Sequence, residues 1–168
     1  CKDIIGGPHM KIAVVGHTNA GKTSLLRTLT RSVEFGEVSV HPATTRHVER
    51  AVLPVEHHEN IALYDTPGLE DSSGLLSYLS RLKDERGEDW VECLAAFAST
   101  PDLQAHFRQE AKAVGQVLNA DVIIYVVDAR LQVRAKYRDE LEILGRCARP
   151  VVPVLNFIAG EDNRADIW

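Results

Sequence analysis

Apolar positions along this chain fall into short unbroken runs separated by stretches of helical period. Lys11 to Val15 is a short β-rich run, and Lys22 to Thr30 carries Leu25, Leu26 and Leu29 at helical spacing. That pattern predicts a strand, a loop and a helix. Residues 47–56 (HVERAVLPVE) and 60–65 (NIALYD) read as two further strands, joined through the polar HHEN into an antiparallel hairpin, with Pro54 marking an edge or a bulge.

From Glu70 to Ala120 the period changes. Leu75, Leu76, Leu79 and Leu82 predict one helix, and the segment from Trp90 to Phe97 predicts a second. A third is expected to start at Thr100 as N-cap, with Pro101 in its first turn and Leu103, Phe107, Ala111, Val114 and Leu118 on one face. Val122 to Val127 (VIIYVV) is a continuous apolar run ending at Asp128, as expected of a strand covered on both faces in a parallel sheet. Tyr137 to Cys147 reads as a charged amphipathic helix, and Val151 to Leu155 (VVPVL) as another buried strand leading to Asn156. Alternating strands and helices predict a doubly wound α/β domain.

Composition agrees with one soluble domain, since 168 residues at 45% hydrophobic and 26% charged suffice for a core. The opening CKDIIGGPHM reads as a vector-derived remnant, so residues 1–9 stand outside the expected domain of residues 10–168. A net charge of −5 argues against a whole-surface affinity for nucleic acid or anionic membrane. Neither a nucleic-acid surface nor a membrane partner is evident. Cys1, Cys93 and Cys147 form no CxxC pair, and a reducing cytoplasm is the expected location. His41, His47, His57 and His58 lack cysteine or acidic companions at metal spacing and are expected to be exposed. Trp90 and Phe97 are expected in helix packing.

The stretch GHTNAGKT carries the chemistry. Gly16, Gly21, Lys22 and Thr23 fit G-x-x-x-x-G-K-[ST] between a predicted strand and a predicted helix, the setting of a phosphate-binding P-loop. Consecutive backbone N–H groups and the positive helix end surround phosphate, so Gly16, Asn19, Ala20, Gly21, Lys22, Thr23 and Ser24 are the expected nucleotide-binding residues. Lys22 would neutralise phosphate charge and the Thr23 hydroxyl would ligate Mg²⁺. Asp65-Thr66-Pro67-Gly68 closes the second hairpin strand, where Asp65 would hold Mg²⁺ and the Gly68 N–H would meet a γ-phosphate. Thr44-Thr45-Arg46 precedes the hairpin and offers a hydroxyl to the same metal.

The motifs GHTNAGKT, ATTRH and DTPGLED resemble the Era and TrmE branch of the translation-factor-like GTPases over residues 10–157. The longer pattern TRHVE, YDTPGLED, KYRDELEIL and PVLNF is still more similar to bacterial GTPases with a C-terminal domain of unknown function. The resemblance implies a Ras-like G domain within the P-loop NTPase class, with a helical insertion after switch II. It implies hydrolysis of GTP to GDP and phosphate with Mg²⁺, as a molecular switch. It also assigns Thr45 as the switch I metal ligand, and Lys22, Thr45 and Gly68 as the groups acting on the γ-phosphate. Asn19 corresponds to the residue that helps hold K⁺ in TrmE-like relatives, which implies K⁺-stimulated hydrolysis and G-domain dimerisation.

Three departures keep alternatives open. Leu69 stands where Ras-type enzymes place a glutamine, leaving Glu70 and Asp71 as candidates for positioning water and a non-hydrolysing nucleotide-binding module as one alternative. Asn156 is expected among the nucleotide-binding residues, but after it the N-K-x-D pattern gives way to Phe157-Ile158-Ala159; Asp162 either substitutes through another loop path or is a surface residue. A base-tolerant hydrolase or ATPase is therefore the other alternative. Finally, the chain stops at Trp168, before the last strand and helix of a typical G domain, so an exposed sheet edge at Val151 to Leu155 is expected, covered by a partner or a second copy.

Overall fold

A computed structural model describes residues 10–31, 49–55, 60–104, 106–160 and 162–168. The expectations for Thr44, Thr45, Arg46, Cys1 and the four histidines at 41, 47, 57 and 58 lie outside these residues. Among the described residues five strands form one sheet: β1 (Met10–Val15), β2 (Glu49–Leu53), β3 (Ile61–Asp65), β4 (Val122–Asp128) and β5 (Val151–Asn156), in the order β2-β3-β1-β4-β5. β1 runs parallel to β3 and β4, and β5 parallel to β4; only β2 is antiparallel, paired with β3 from Glu49↔Asp65 to Leu53↔Ile61. This is the mostly parallel, helix-flanked sheet of a Ras-like P-loop G domain.

Six helices among the described residues flank the sheet: α1 (Lys22–Thr30), α2 (Ser72–Arg86), α3 (Trp90–Ser99), α4 (Pro101–Gln104), α5 (Arg108–Leu118) and α6 (Ala135–Arg146). The two-residue period of the strands divides the core into two layers. Ala13, Val15, Ile123, Tyr125 and Val127 join the larger layer with Leu75 and Leu79 of α2, Phe97 of α3, Val114 of α5 and Leu144 of α6. Val14, Leu63 and Val126 pack on the other face with Leu26 of α1. Phe97 is fully buried, and Trp90 packs at the margin with the Arg146 guanidinium 3.7 Å above its ring, as expected of packing residues.

Two elements differ from the sequence pattern. The expected helix from Thr100 through Leu118 is broken into α4 and α5. Thr100 ends α3 by donating its N–H to Ala96 O (2.9 Å), while its own carbonyl accepts from Leu103 N (3.0 Å). The Leu103 carbonyl is taken by the Tyr78 hydroxyl (2.7 Å), and Phe107 N closes a tight turn onto Gln104 O (2.6 Å). Carbonyls engaged in this way are lost to a continuing helical ladder. The second correction concerns the burial of β5: it is the edge strand expected, paired among the described residues with β4 alone, but it is not a buried strand, and Val152 is 47% exposed. Pro153 is tolerated there because an edge position spares a ladder N–H.

Candidate functional site

The parallel strands place the C-terminal ends of β1, β3, β4 and β5 at one end of the sheet, where ligands of open α/β folds bind. The loop leaving β1 owes its path to glycine. Gly16 has φ +152°, and a Cβ there would stand 2.2 Å from Val126 O. Gly21 has φ +91°, where a Cβ would meet Asn156 Nδ2 at 2.3 Å. Asn19 takes the left-handed conformation as well (φ 65°), and its exposed side chain makes no hydrogen bond among the described residues. Gly21 caps α1 without any side-chain hydrogen bond, so the first-turn N–H groups of that helix are not met by a capping side chain. Ala20 is fully buried, whereas Ser24 is exposed.

Lys22 folds back over the loop. Its ammonium donates to Gly16 O (2.8 Å) and His17 O (3.0 Å). Burial lowers its pKa, opposed by the charges of Asp65, Glu140 and Glu70. The Thr23 hydroxyl donates to Asp65 Oδ2 at 2.6 Å, joining α1 to the end of β3 across 42 residues of sequence. Asp65 is wholly buried, and its Oδ1 has no partner among the described residues. Desolvation raises the Asp65 pKa, while the Thr23 hydrogen bond and Lys22 pull it down. Thr66 locks the next peptide by donating its hydroxyl to Val14 O (2.8 Å). Gly68 then lies against the loop: a Cβ there would be 3.2 Å from Gly16 O and 3.4 Å from Thr18 N. The structure thus brings together Gly16, Asn19, Ala20, Gly21, Lys22, Thr23, Ser24, Asp65, Gly68 and Asn156; Thr45 lies outside the described residues.

This donor set fits a divalent cation. Asp65 Oδ1 is an orphaned buried carboxylate oxygen beside the Thr23 hydroxyl, and hard oxygen donors suit Mg²⁺. No group of three or more His, Cys, Asp or Glu is placed to hold a metal ion among the described residues. Two protein oxygens supplemented by phosphate and water match the way Mg²⁺ is usually held.

The candidates around Leu69 separate. Leu69 is 2% exposed and belongs to the larger core. Asp71 caps α2 by accepting from Gly74 N (3.0 Å). Glu70 accepts from the Thr18 hydroxyl (3.3 Å), linking the β3–α2 loop to the β1–α1 loop. Behind it lies a cavity of about 280 Å³ lined by His17, Thr18, Leu69, Glu70, Lys136 and Glu140.

Sequence reasoning missed two buried groups of that cavity. His17 is 7% exposed with both ring nitrogens unpartnered among the described residues, and burial with Lys22 and Lys136 lowers its pKa to about 4. Glu140 is 1% exposed; its Oε2 accepts from the Tyr125 hydroxyl, and desolvation raises its pKa to about 7. The signal for Glu140 was present, because Tyr137, Glu140, Ile143 and Leu144 share the buried face of α6.

At the end of β5, Asn156 donates from Nδ2 to Ala20 O (3.0 Å) and accepts at Oδ1 from Phe157 N (2.9 Å). Asp162 is exposed.

Phosphate loop, Thr23–Asp65 link and Asn156 tether on this fold define a P-loop GTPase domain. A family model described as 50S ribosome-binding GTPase matches residues 11–157, and the chain belongs to that family. It is related to the Era, Der and MnmE types of bacterial GTPase. It is 27% identical over 158 residues to GTPase Der of Campylobacter concisus and 30% identical over 161 residues to tRNA modification GTPase MnmE of Halorhodospira halophila. These matches cover 94% and 95% of this chain but 27% of each relative, so the chain spans about a quarter of their length. Among solved structures, a variant of Aquifex aeolicus Era bound to GDP and AlF4⁻ aligns with TM-score 0.60 at 23% identity, covering 94% of this chain and 44% of that one. Era in complex with MgGDPNP and a segment of 16S ribosomal RNA aligns with TM-score 0.62 at 22% identity, covering 94% and 43%.

Proposed function

We propose that this chain binds GTP with Mg²⁺ and hydrolyses it to GDP and phosphate, acting as a molecular switch. The observation that carries the reading is the Thr23 hydroxyl 2.6 Å from Asp65 Oδ2, with the second Asp65 oxygen buried and open. In this reading Thr23 and Asp65, with Thr45 of switch I, hold the cation, and the cation when bound neutralises charge on the β- and γ-phosphate oxygens. Lys22 trades its hold on the Gly16 and His17 carbonyls for the phosphates. The amides from Asn19 through Ser24 cradle the β-phosphate, and Gly68 N–H meets the γ-phosphate. Positioning and electrostatics then supply most of the rate.

Asn19 is the proposed K⁺ ligand, supported by its left-handed backbone in the loop and an exposed side-chain amide free of hydrogen bonds among the described residues. Leu69 is committed to the core, so the added charge of K⁺ stands in for the missing polar side chain. A cytoplasmic setting accords with two free, buried cysteines, Cys93 and Cys147. The β5 edge, with Val152 exposed, is the proposed contact for a second copy or a covering partner.

The test is multiple-turnover GTP hydrolysis with Mg²⁺ in K⁺ and in Na⁺. The expected result is turnover that EDTA abolishes, that is faster in K⁺ by about tenfold or more, and that Lys22→Ala removes. Binding of GTP with no turnover in either salt, under multiple- and single-turnover conditions, would instead establish a non-hydrolysing binding module.

A further inference from the structure

We propose that nucleotide binding at the phosphate loop takes up a proton, and that Glu140, buried behind the loop, is the group that receives it. The proposal rests on the nucleotide-binding reading above and concerns how that binding depends on pH.

Glu140 holds a carboxyl group where charge is hard to keep. It lies on the buried face of α6 with Tyr137, Ile143 and Leu144, and it is 1% exposed. Its Oε2 accepts from the hydroxyl of Tyr125 on β4, a residue that is itself fully buried. Its Oε1 is buried without a partner among the described residues, so a proton arriving at this carboxyl has Oε1 as its place. A neutral acid costs far less in such surroundings than a carboxylate.

The same carboxyl borders the phosphate loop. It lines the cavity of about 280 Å³ together with His17 and Thr18 of the loop, Glu70 of the β3–α2 loop and Lys136, one turn away on α6. Lys22 lies within electrostatic reach: Lys136 and Lys22 draw Glu140 toward its ionised form, against the desolvation that holds its pKa up at about 7. In this structure the Lys22 ammonium sits on Gly16 O and His17 O.

Binding shifts that balance twice in the same direction. The phosphates bring negative charge to the loop, beside a buried carboxyl in low dielectric. Lys22, in the reading above, turns from the two carbonyls to the phosphates, and its pull on Glu140 is offset by theirs. Both changes favour the protonated acid, so a proton passes from a buffer acid to Glu140 Oε1 as the nucleotide binds and returns on release. The groups that face Glu140 are Tyr125 from β4, His17 and Lys22 from the loop and the start of α1, Glu70 from the β3–α2 loop, and Lys136 and Tyr137 from α6 itself. Burial pushes the Tyr125 hydroxyl far above neutrality, and His17 stays neutral above about pH 4.

The sign follows from linkage. Affinity is greatest below the pKa of the unliganded protein, about 7, and falls as pH rises from there toward the higher pKa of the complex.

The experiment is calorimetric titration of nucleotide-stripped protein with GDP, Mg²⁺ and K⁺ in PIPES, HEPES and Tris, whose ionisation heats differ, so that the buffer dependence counts protons. Wild type is expected to take up about half a proton at pH 7.5 and to bind GDP about fivefold more weakly at pH 8.5 than at pH 6.5. Glu140→Gln is expected to lose that uptake and to flatten the pH dependence; proton changes at the ligand and the metal site are common to both proteins and cancel in the comparison. Tyr125→Phe removes the hydrogen bond that favours the charged carboxyl, so the fall in affinity is expected to move to higher pH, and this variant serves if the glutamine variant does not fold. Equal proton uptake in wild type and Glu140→Gln, an affinity ratio between them that is constant from pH 6.5 to 8.5, or a Tyr125→Phe profile identical to wild type overturns this inference alone. Wild-type protein that binds no GDP at any of these pH values defeats the nucleotide reading too.

Discussion

The two ends of the site are built differently. At the phosphate end the groups belong to backbone and to short motifs: Gly16 pressed onto β4, the Lys22 ammonium on two loop carbonyls, the Thr23 hydroxyl on Asp65. Where β4 and β5 end, side chains make the contacts, and they come from separate segments: Phe157 after β5, Asp128 at the last position of β4 and Arg130 in the loop after it. A site made of backbone fixes its residue types narrowly, because glycine and a short hydroxyl have no equivalents there. Contacts made of side chains tolerate a different solution at the same place, here Phe157 where the N-K-x-D pattern has a lysine.

The sharpest way to break this contrast is at Gly16. A Cβ there would stand 2.2 Å from Val126 O, a backbone atom of the central sheet, in a conformation that L side chains rarely adopt. Gly16→Ala is expected to destabilise the fold by about 3 kcal/mol or more, from strain and overpacking together. Urea unfolding measures it. A variant within 1 kcal/mol of wild type would show that the loop relaxes freely and that backbone does not dictate the phosphate end.

A smaller effect is expected behind that loop. Glu140 is buried with its pKa raised from an ordinary 4.5 to about 7, so the folded state disfavours its charged form. Between those values the unfolded chain has lost the proton that the folded chain keeps, and stability falls as pH rises. The loss reaches on the order of 1 to 3 kcal/mol by pH 8. Glu140→Gln removes the titration, so the variant should gain on wild type as pH rises from 4.5 to 7 and hold that gain above it. His17 works in the opposite sense: its pKa is lowered from 6.5 to about 4, so its contribution falls as pH drops through that range. In the Gln variant the His17 contribution should persist on the acid side. A stability difference between variant and wild type that is constant with pH would remove the case for a charged Glu140 at alkaline pH.

This asymmetry also governs what could be read in the sequence. Strand and helix identities followed from periodicity, and GHTNAGKT could be read as a loop between β1 and α1 because Gly16 and Gly21 answer to backbone requirements there. Leu69 could be read as unable to position water, yet its place in the core appears only when α2 packs. The break between α4 and α5 was invisible because it depends on Tyr78, far along the chain, taking the Leu103 carbonyl. Arg130 drew no notice for the same reason: its role depends on a ring 27 residues later, and no local spacing announces a contact between two loops.

Asn156 joins the two ends, and its removal tests whether they are separable. Its Nδ2 holds Ala20 O and its Oδ1 holds Phe157 N, so one amide sets both the phosphate loop and the ring. Asn156→Ala deletes both bonds and leaves the Ala20 carbonyl to other partners. Each such hydrogen bond contributes about 0.5 to 1.5 kcal/mol net, so a loss of about 1 to 2 kcal/mol in stability is expected by urea unfolding. The more telling readout is binding. If the tether sets both ends, pyrophosphate and GDP weaken together. If Asn156→Ala leaves pyrophosphate untouched and weakens only GDP, the phosphate loop holds its own shape, and Asn156 acts at the end of β5 alone.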